Sequence, residues 1–219
     1  MKVVFFTYHV WRSERRAGFH HLAKSFHDFG WEVLFFTTGL SWLSSLQGNK
    51  RLNNYQVHER KKLVEELPNF FSYLHFTPFH SVGFKQPLVN LLLQPLVASY
   101  NLFSFDCTHD FISNADLLVF ESADGLLLID RVSKINTKAR KVYRMSDLLS
   151  VLRKHPTSTE HEKKHWNDFD LISVPSKFMF NQFDSSENLS LDYHGVDKDI
   201  FDKNHQSPYK KVSINAVWI

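Results

Sequence analysis

The sequence predicts an α/β fold: an open parallel sheet with helices on both faces. Three observations carry this. An apolar strand, an amphipathic helix and a second apolar strand follow one another within the first 38 residues. The same alternation resumes after residue 115 and continues to about residue 195. At 219 residues, 43% hydrophobic and 22% charged, the chain has the size and composition of a globular domain with a sizeable core. Its 21 Phe point to a core dominated by aromatic side chains, or to an apolar surface.

"KVVFFTY" (2–8) is a short buried-strand pattern. In the next segment Phe19, Leu22, Ala23 and Phe26 recur at i, i+3, i+4 and i+7, one face of a helix. His20, Lys24 and His27 fall off that face and are expected in solvent. Gly30 sits where a left-handed residue ends a helix, and "WEVLFFTT" (31–38) is the second strand. Such a β-α-β unit implies a parallel pair joined by a right-handed crossover.

From 41 to 85 the pattern loosens, with one strand expected within "SYLHFTPFH". Residues 86–103 read as one or two helices interrupted at Pro95. The alternation then gives a strand at 115–122, a helix near 124–135 with Asp124 as its cap, a strand at 141–145 and a helix at 147–154. A further helix at 158–168, a strand at 170–176, a helix to Phe183 and a strand at 189–195 follow. "DKDIFDKNHQSPYKK" (197–211) is charged and turn-rich, and "VSINAVWI" (212–219) is again a strand. The expected organisation is a domain over 1–196, a linker over 197–211, and over 212–219 the first strand of a second α/β domain lying beyond this chain.

Several classes are disfavoured. Cys107 is the single cysteine, so no disulfide forms within the chain and no zinc-finger spacing exists. The first apolar run, about five residues, is too short for a signal peptide, and no run of 18 apolar residues occurs. A cytoplasmic location is therefore expected. The formal net charge of +3, with 13 His in reserve at acid pH, permits attraction to anionic lipid or phosphate and gives no reason to expect nucleic acid. "TYHVWRSERRAG" lacks the glycines of a dinucleotide-binding turn, and "VPSKF" lacks those of a nucleophile elbow. A receiver-type domain would carry acidic residues where Tyr8 and His9 stand.

Parallel sheets bind ligands at the C-terminal ends of their strands. Tyr8 and His9 end the first strand, Glu121 ends the strand "LLVFE", and Arg144, Ser146 and Asp147 follow "KVYRM". Asp147 reads either as part of a Ser-Asp helix start or as a reactive carboxylate. Glu121 reads as a ligand contact or as an ion-pair partner. Arg12, Arg15 and Arg16 fit either a diphosphate at a helix start or a solvated turn. "PLVNLLLQPLVASYNLF" fits either a helix buried on the sheet or one lying in a bilayer interface, aided by the aromatic "FFSYLHFTPF" before it.

Taken together, "WRSERRAGFHHLAKSFHDFGWEVLFFTTGLS", "FESADGL", "VYRMSD", "DLISVPSKFM" and "HGVDKDIF" resemble, in that order, bacterial exopolysaccharide glycosyltransferases of the xanthan glucuronosyltransferase type. The resemblance covers about residues 1–40 and 115–219. It implies the Rossmann-like N-terminal half of a GT-B fold, and an inverting transfer of a sugar, such as glucuronic acid, without a metal. It implies no cofactor beyond a nucleotide-sugar co-substrate, expected to be UDP-linked and bound mainly by the C-terminal domain. The implied acceptor is a polyprenyl-diphosphate-linked oligosaccharide, met by a peripheral protein on the inner face of the plasma membrane. Asp147 inherits the role of general base; Tyr8, His9, Arg12, Glu121, Arg144 and Ser146 are the acceptor-binding candidates. In this reading Asp147, in the first turn of its helix, is kept ionised by the helix dipole. The alternative is a non-catalytic module that binds carbohydrate or a lipid anchor.

Overall fold

The computed structural model describes residues 1–183, 187–193 and 195. The expected linker and final strand at 197–219 lie outside them, as does most of "HGVDKDIF". Eight strands form one sheet: β1 (Lys2–Thr7), β2 (Glu32–Ser41), β3 (Leu63–Leu67), β4 (Phe70–Thr77), β5 (Leu117–Glu121), β6 (Arg140–Arg144), β7 (Leu171–Val174) and β8 (Leu189–Leu191). Their order is β3-β4-β2-β1-β5-β6-β7-β8. Every pairing is parallel except the edge pair β3–β4. The sheet runs outward in both directions from β1 and β5, so the topological switch point lies between them.

Alternate side chains of the central strands feed two cores. Val3, Phe5, Val33 and Phe35 pack under α1 (Gly18–Asp28) through Phe19 and Ala23. Val4, Phe6, Leu34 and Phe36 pack on the other face. That face is covered by α4 (His109–Ser113), by a 3₁₀ turn at Asp124–Leu128 and by α5 (Ile129–Ile135), which follows it directly. Burial on both faces is why these strands read as unbroken apolar runs. The remaining helices are α2 (Trp42–Leu46), α3 (Pro87–Ala98), α6 (Pro156–Lys164) and α7 (Lys177–Gln182).

The helix ends follow local chemistry. The Ala17 amide donates to His20 Nδ1 at 3.0 Å, so a histidine closes the start of α1. At its other end Gly30 adopts φ +81°. His20 is therefore buried, 2% exposed, and not in solvent. His27 is half-buried, its Nε2 2.9 Å from the Pro68 carbonyl oxygen, and Lys24 alone of the three is exposed.

Four further expectations are corrected. Residues 147–154 form turns, not a helix. Val151 and Leu152 donate to Leu148 and Leu149, and the Arg153 carbonyl accepts from Gly83 of another segment. Asp147 thus has no helix dipole behind it. Asp124 is not a cap: it is fully buried and paired with Lys154 at 2.9 Å. The aromatic run at 70–79 is mostly β4, a buried strand beside β2, and not an interfacial flank. Helix α3 runs through Pro95. The proline leaves the Leu91 carbonyl without its usual donor, and Leu91 is 63% exposed, so water can take that place. Only Val97 of α3 is buried; Leu88, Leu91, Leu92 and Leu96 face outward. Among the described residues no single helix is long and apolar enough to cross a membrane.

Candidate functional site

Parallel register brings Phe6 beside Phe120 and Glu121 beside Arg144, so the residues that end β1, β5 and β6 meet on one rim. Glu121 is the hub. Its Oε2 accepts from Thr7 Oγ1 at 2.5 Å and from the Tyr8 amide at 2.9 Å. Its Oε1 accepts from Ser146 Oγ at 3.0 Å and lies 3.2 Å from His9 Nε2. Burial works to raise the Glu121 carboxyl, but the hydrogen bond and charge of His9 with the Thr7 and Tyr8 donors outweigh it. The group is held below the ordinary carboxylate range, as an anion. At 4% exposure, with both oxygens engaged, Glu121 fastens three strand ends together and does not face a ligand.

Ser122, the next residue, continues the clamp. Its hydroxyl accepts from the amides of Ser146 (3.1 Å) and Asp147 (3.4 Å). The backbone at Asp147 is thereby fixed while its side chain remains exposed. Asp147 lines a cavity of about 1290 Å³, together with His9, Arg15, Arg16, Arg144 and Ser146. A carboxylate on a rigid rim, open to a cavity of ligand size, can accept a proton from a bound hydroxyl.

Arg144 stands on the same wall. Its Nη1 donates to Ser173 Oγ at 2.5 Å and to the Asp192 carbonyl at 2.8 Å, while Ser173 donates to Asp192 Oδ2 at 2.7 Å. These bonds aim the guanidinium from β6 across β7 to the end of β8. His9 bridges hub and cavity.

Tyr8 turns to the other side of the hub. Its ring lies under the Arg51 guanidinium at 3.7 Å and within 5.1 Å of the Lys154 ammonium. Arg51 also donates to the Tyr8 carbonyl at 2.9 Å. Gly39, at φ +74°, makes room below: a Cβ there would come 2.7 Å from Asp124 Oδ2. Arg12 stands apart, gripped by Glu66 (2.8 and 3.0 Å) and Glu59 (2.9 and 3.0 Å), and stacks on Tyr55. Its pKa is raised: the two carboxylates outweigh the burial that would lower it. It is a strut between the first turn and the β3 edge. Arg16 stays on the cavity wall, its Nη1 donating to the Trp11 carbonyl.

The structure therefore unites His9, Glu121, Arg144, Ser146 and Asp147, sets Tyr8 beside them and excludes Arg12. Thr7, Ser122, Ser173, Asp192, Arg51 and Lys154 were not anticipated. Thr7 and Ser122 directly flank Tyr8 and Glu121, so the strand-end rule could have included them; Arg51 and Lys154 arrive from loops with no periodic signal.

The model of the family described as the N-terminal domain of the glucuronosyltransferase GumK matches residues 5–175. A UDP-glucuronate:glycolipid 2-beta-glucuronosyltransferase of Xanthomonas campestris pv. campestris is 25% identical over 209 residues, covering 95% of this chain and 51% of that protein. The chain spans about half the length of the curated relative it matches.

Proposed function

The chain belongs to the GumK-type glucuronosyltransferase N-terminal domain family, and from that premise we propose that it is the acceptor-binding half of an inverting, nucleotide-sugar-dependent glycosyltransferase of exopolysaccharide synthesis. The acceptor is a lipid-linked oligosaccharide and the transferred sugar is glucuronic acid, by analogy with the activity for which the relative is named. The observation that carries this reading is the clamp of Glu121 and Ser122 on the backbone of Ser146 and Asp147, which holds an exposed carboxylate at the edge of the cavity.

In the reaction Asp147 removes the proton of the acceptor hydroxyl as that oxygen attacks the anomeric carbon from the face opposite the leaving nucleotide. One displacement inverts the centre, and the proton ends on the carboxylate. Arg144, aimed by Ser173 and Asp192, and His9 bind polar groups of the acceptor. The donor and its leaving diphosphate are assigned to a second domain, in keeping with a relative about twice the length of this chain.

A lipid-linked acceptor calls for a membrane surface, and α3 supports one. Its exposed Leu88, Leu91 and Leu92 follow an exposed Phe84, and Lys85 and Arg153 are exposed as well. No Asp or Glu occurs between Glu66 and Asp106. Aliphatic side chains with flanking cations suit an anionic bilayer interface. The Arg153 carbonyl accepts from Gly83, which joins this surface to the loop that begins at Asp147. Such a placement suits a cytoplasmic protein peripheral to the inner membrane.

Titration of residues 1–219 tests the division of labour. Vesicles carrying the lipid-linked acceptor should bind, and uridine diphosphate sugars should give no heat. Micromolar binding of a nucleotide sugar to this chain would overturn the assignment of the donor to the second domain.

A further inference from the structure

Asp130, His161 and His165 form a cluster in the helical layer over the β4–β6 core face, sharing no residue with the rim. Asp130 lies in the first turn of α5, and the two histidines stand one turn apart at the end of α6. His161 Nε2 is 3.3 Å from Asp130 Oδ2, and His165 Nε2 is 3.4 Å from Asp130 Oδ1. The imidazoles face each other with centroids 4.5 Å apart.

The His165 ring is 5% exposed, and its two nitrogens have different fates. Nδ1 lies 2.6 Å from Asp168 Oδ2, the geometry of a donor to a carboxylate. Nε2 is buried and makes no hydrogen bond, although Asp130 is near. An Nδ1–H tautomer leaves the Nε2 lone pair beside carboxylate oxygen, an arrangement that a proton or a metal cation between them relieves. A carboxylate that fixes the outer nitrogen of a histidine is the usual support of a metal-bound imidazole.

The spacing suits a small ion. A tetrahedral zinc with bonds of about 2.0–2.1 Å has ligand-to-ligand edges of about 3.3–3.4 Å. Asp130 meets the two imidazoles at 3.3 and 3.4 Å, through different oxygens of its carboxylate. With one ligand atom from each residue, all three lie within 4.8 Å of one another, and a turn of the half-buried His161 ring brings them onto one ion. Lys164 Nζ, 3.3 Å from Asp130 and 61% exposed, occupies the carboxylate from outside and is free to swing into water.

We propose that Asp130, His161 and His165 bind a divalent transition ion of the zinc type, positioned by Asp168, which pins α5 to α6. Two imidazoles and one carboxylate favour zinc over calcium or magnesium, and the fourth position falls to water. The ion is structural, so a transfer reaction that proceeds without a metal is unaffected by it.

The test uses the whole chain freed of metal by a chelator. Added Co²⁺ should give the intense visible bands of a tetrahedral site, and Zn²⁺ should displace them and raise the melting temperature. His161→Gln and Asp130→Asn should each weaken Zn²⁺ binding at least tenfold, while Asp168→Asn, which touches no ion, should weaken it about 10–100-fold. Calcium should raise the melting temperature of none of these proteins. Absence of the cobalt bands, or zinc affinity unchanged in all three variants because other histidines bind it, would overturn the proposal.

Discussion

Ser146 Oγ donates to Glu121 Oε1 at 3.0 Å, which fastens the residue before Asp147 to the buried end of β5. The exposed carboxylate therefore owes its position to a buried one. Glu121→Gln keeps the shape but replaces one oxygen by an NH2 group, so either the pair Thr7 and Tyr8 or the pair His9 and Ser146 loses its acceptor. Leaving buried donors unmatched costs about 1–3 kcal/mol. Denaturant melts should show that loss, and transfer by the full-length enzyme should fall with it. A variant of native stability would mean that the two displaced donors are satisfied some other way.

The same carboxylate gives an acid limit. Its folded pKa lies below its unfolded one, so its contribution is complete above the ordinary carboxylate value and is lost as pH falls through the folded value.

Two buried histidines act at higher pH. Burial holds His20 down to about 4, and His75 down to about 3. Both are neutral when folded but take protons near 6.5 when unfolded, so stability is complete above that pH and declines as pH falls toward 4 and then 3. His75 sits among Phe36, Tyr73, Tyr100 and Phe105, and neither of its nitrogens has a hydrogen-bond partner. His75→Leu should therefore stabilise the chain by about 1–3 kcal/mol and flatten its loss between pH 6.5 and 4. Thermal melts across that range decide it; an unchanged slope would contradict this account of the ring.

At Gly39 the backbone needs both a left-handed conformation and empty space. Gly39→Ala meets Asp124 Oδ2 at 2.7 Å and Tyr8 at 3.2 Å. A destabilisation of about 1–3 kcal/mol, read by chemical melts, is expected, with a displaced Asp124–Lys154 pair. Native stability would show that the turn can relax.

For the membrane, Leu91→Glu and Leu92→Glu change side chains 63% and 77% exposed, so folding should persist. Each should weaken co-sedimentation with anionic vesicles about tenfold, as expected for withdrawing one leucine from an apolar phase. Binding as tight as that of the parent would assign α3 to some other contact.

The central sheet was legible because its signals are local. Phe19, Leu22, Ala23 and Phe26 mark α1, and the apolar runs at β1, β2 and β5 reflect burial on both faces. β3 escaped notice because "LVEEL" is an edge strand with two glutamates, held by pairing with β4. The helix expected at 147–154 had apolar spacing at Leu148, Leu149 and Leu152, but Ser122 and Gly83 take up its backbone groups from distant segments. That competition is tertiary. For the same reason Tyr8, Glu121, Arg144 and Asp147 could be placed on one rim by the strand-end rule, while Glu121's role as a filled acceptor could not. Arg12 looked available because Glu59 and Glu66 lie 47 and 54 residues away in sequence.

The most direct test is Asp147→Asn in the full-length enzyme, assayed for transfer from a nucleotide sugar to the lipid-linked acceptor. The amide preserves the size of the side chain and the bonds of the backbone to Ser122, but cannot take the acceptor proton. The account predicts turnover lower by about 10²–10⁴-fold, with the melting temperature and acceptor binding unchanged. Transfer within a few-fold of the parent would contradict the assignment of Asp147 as the base.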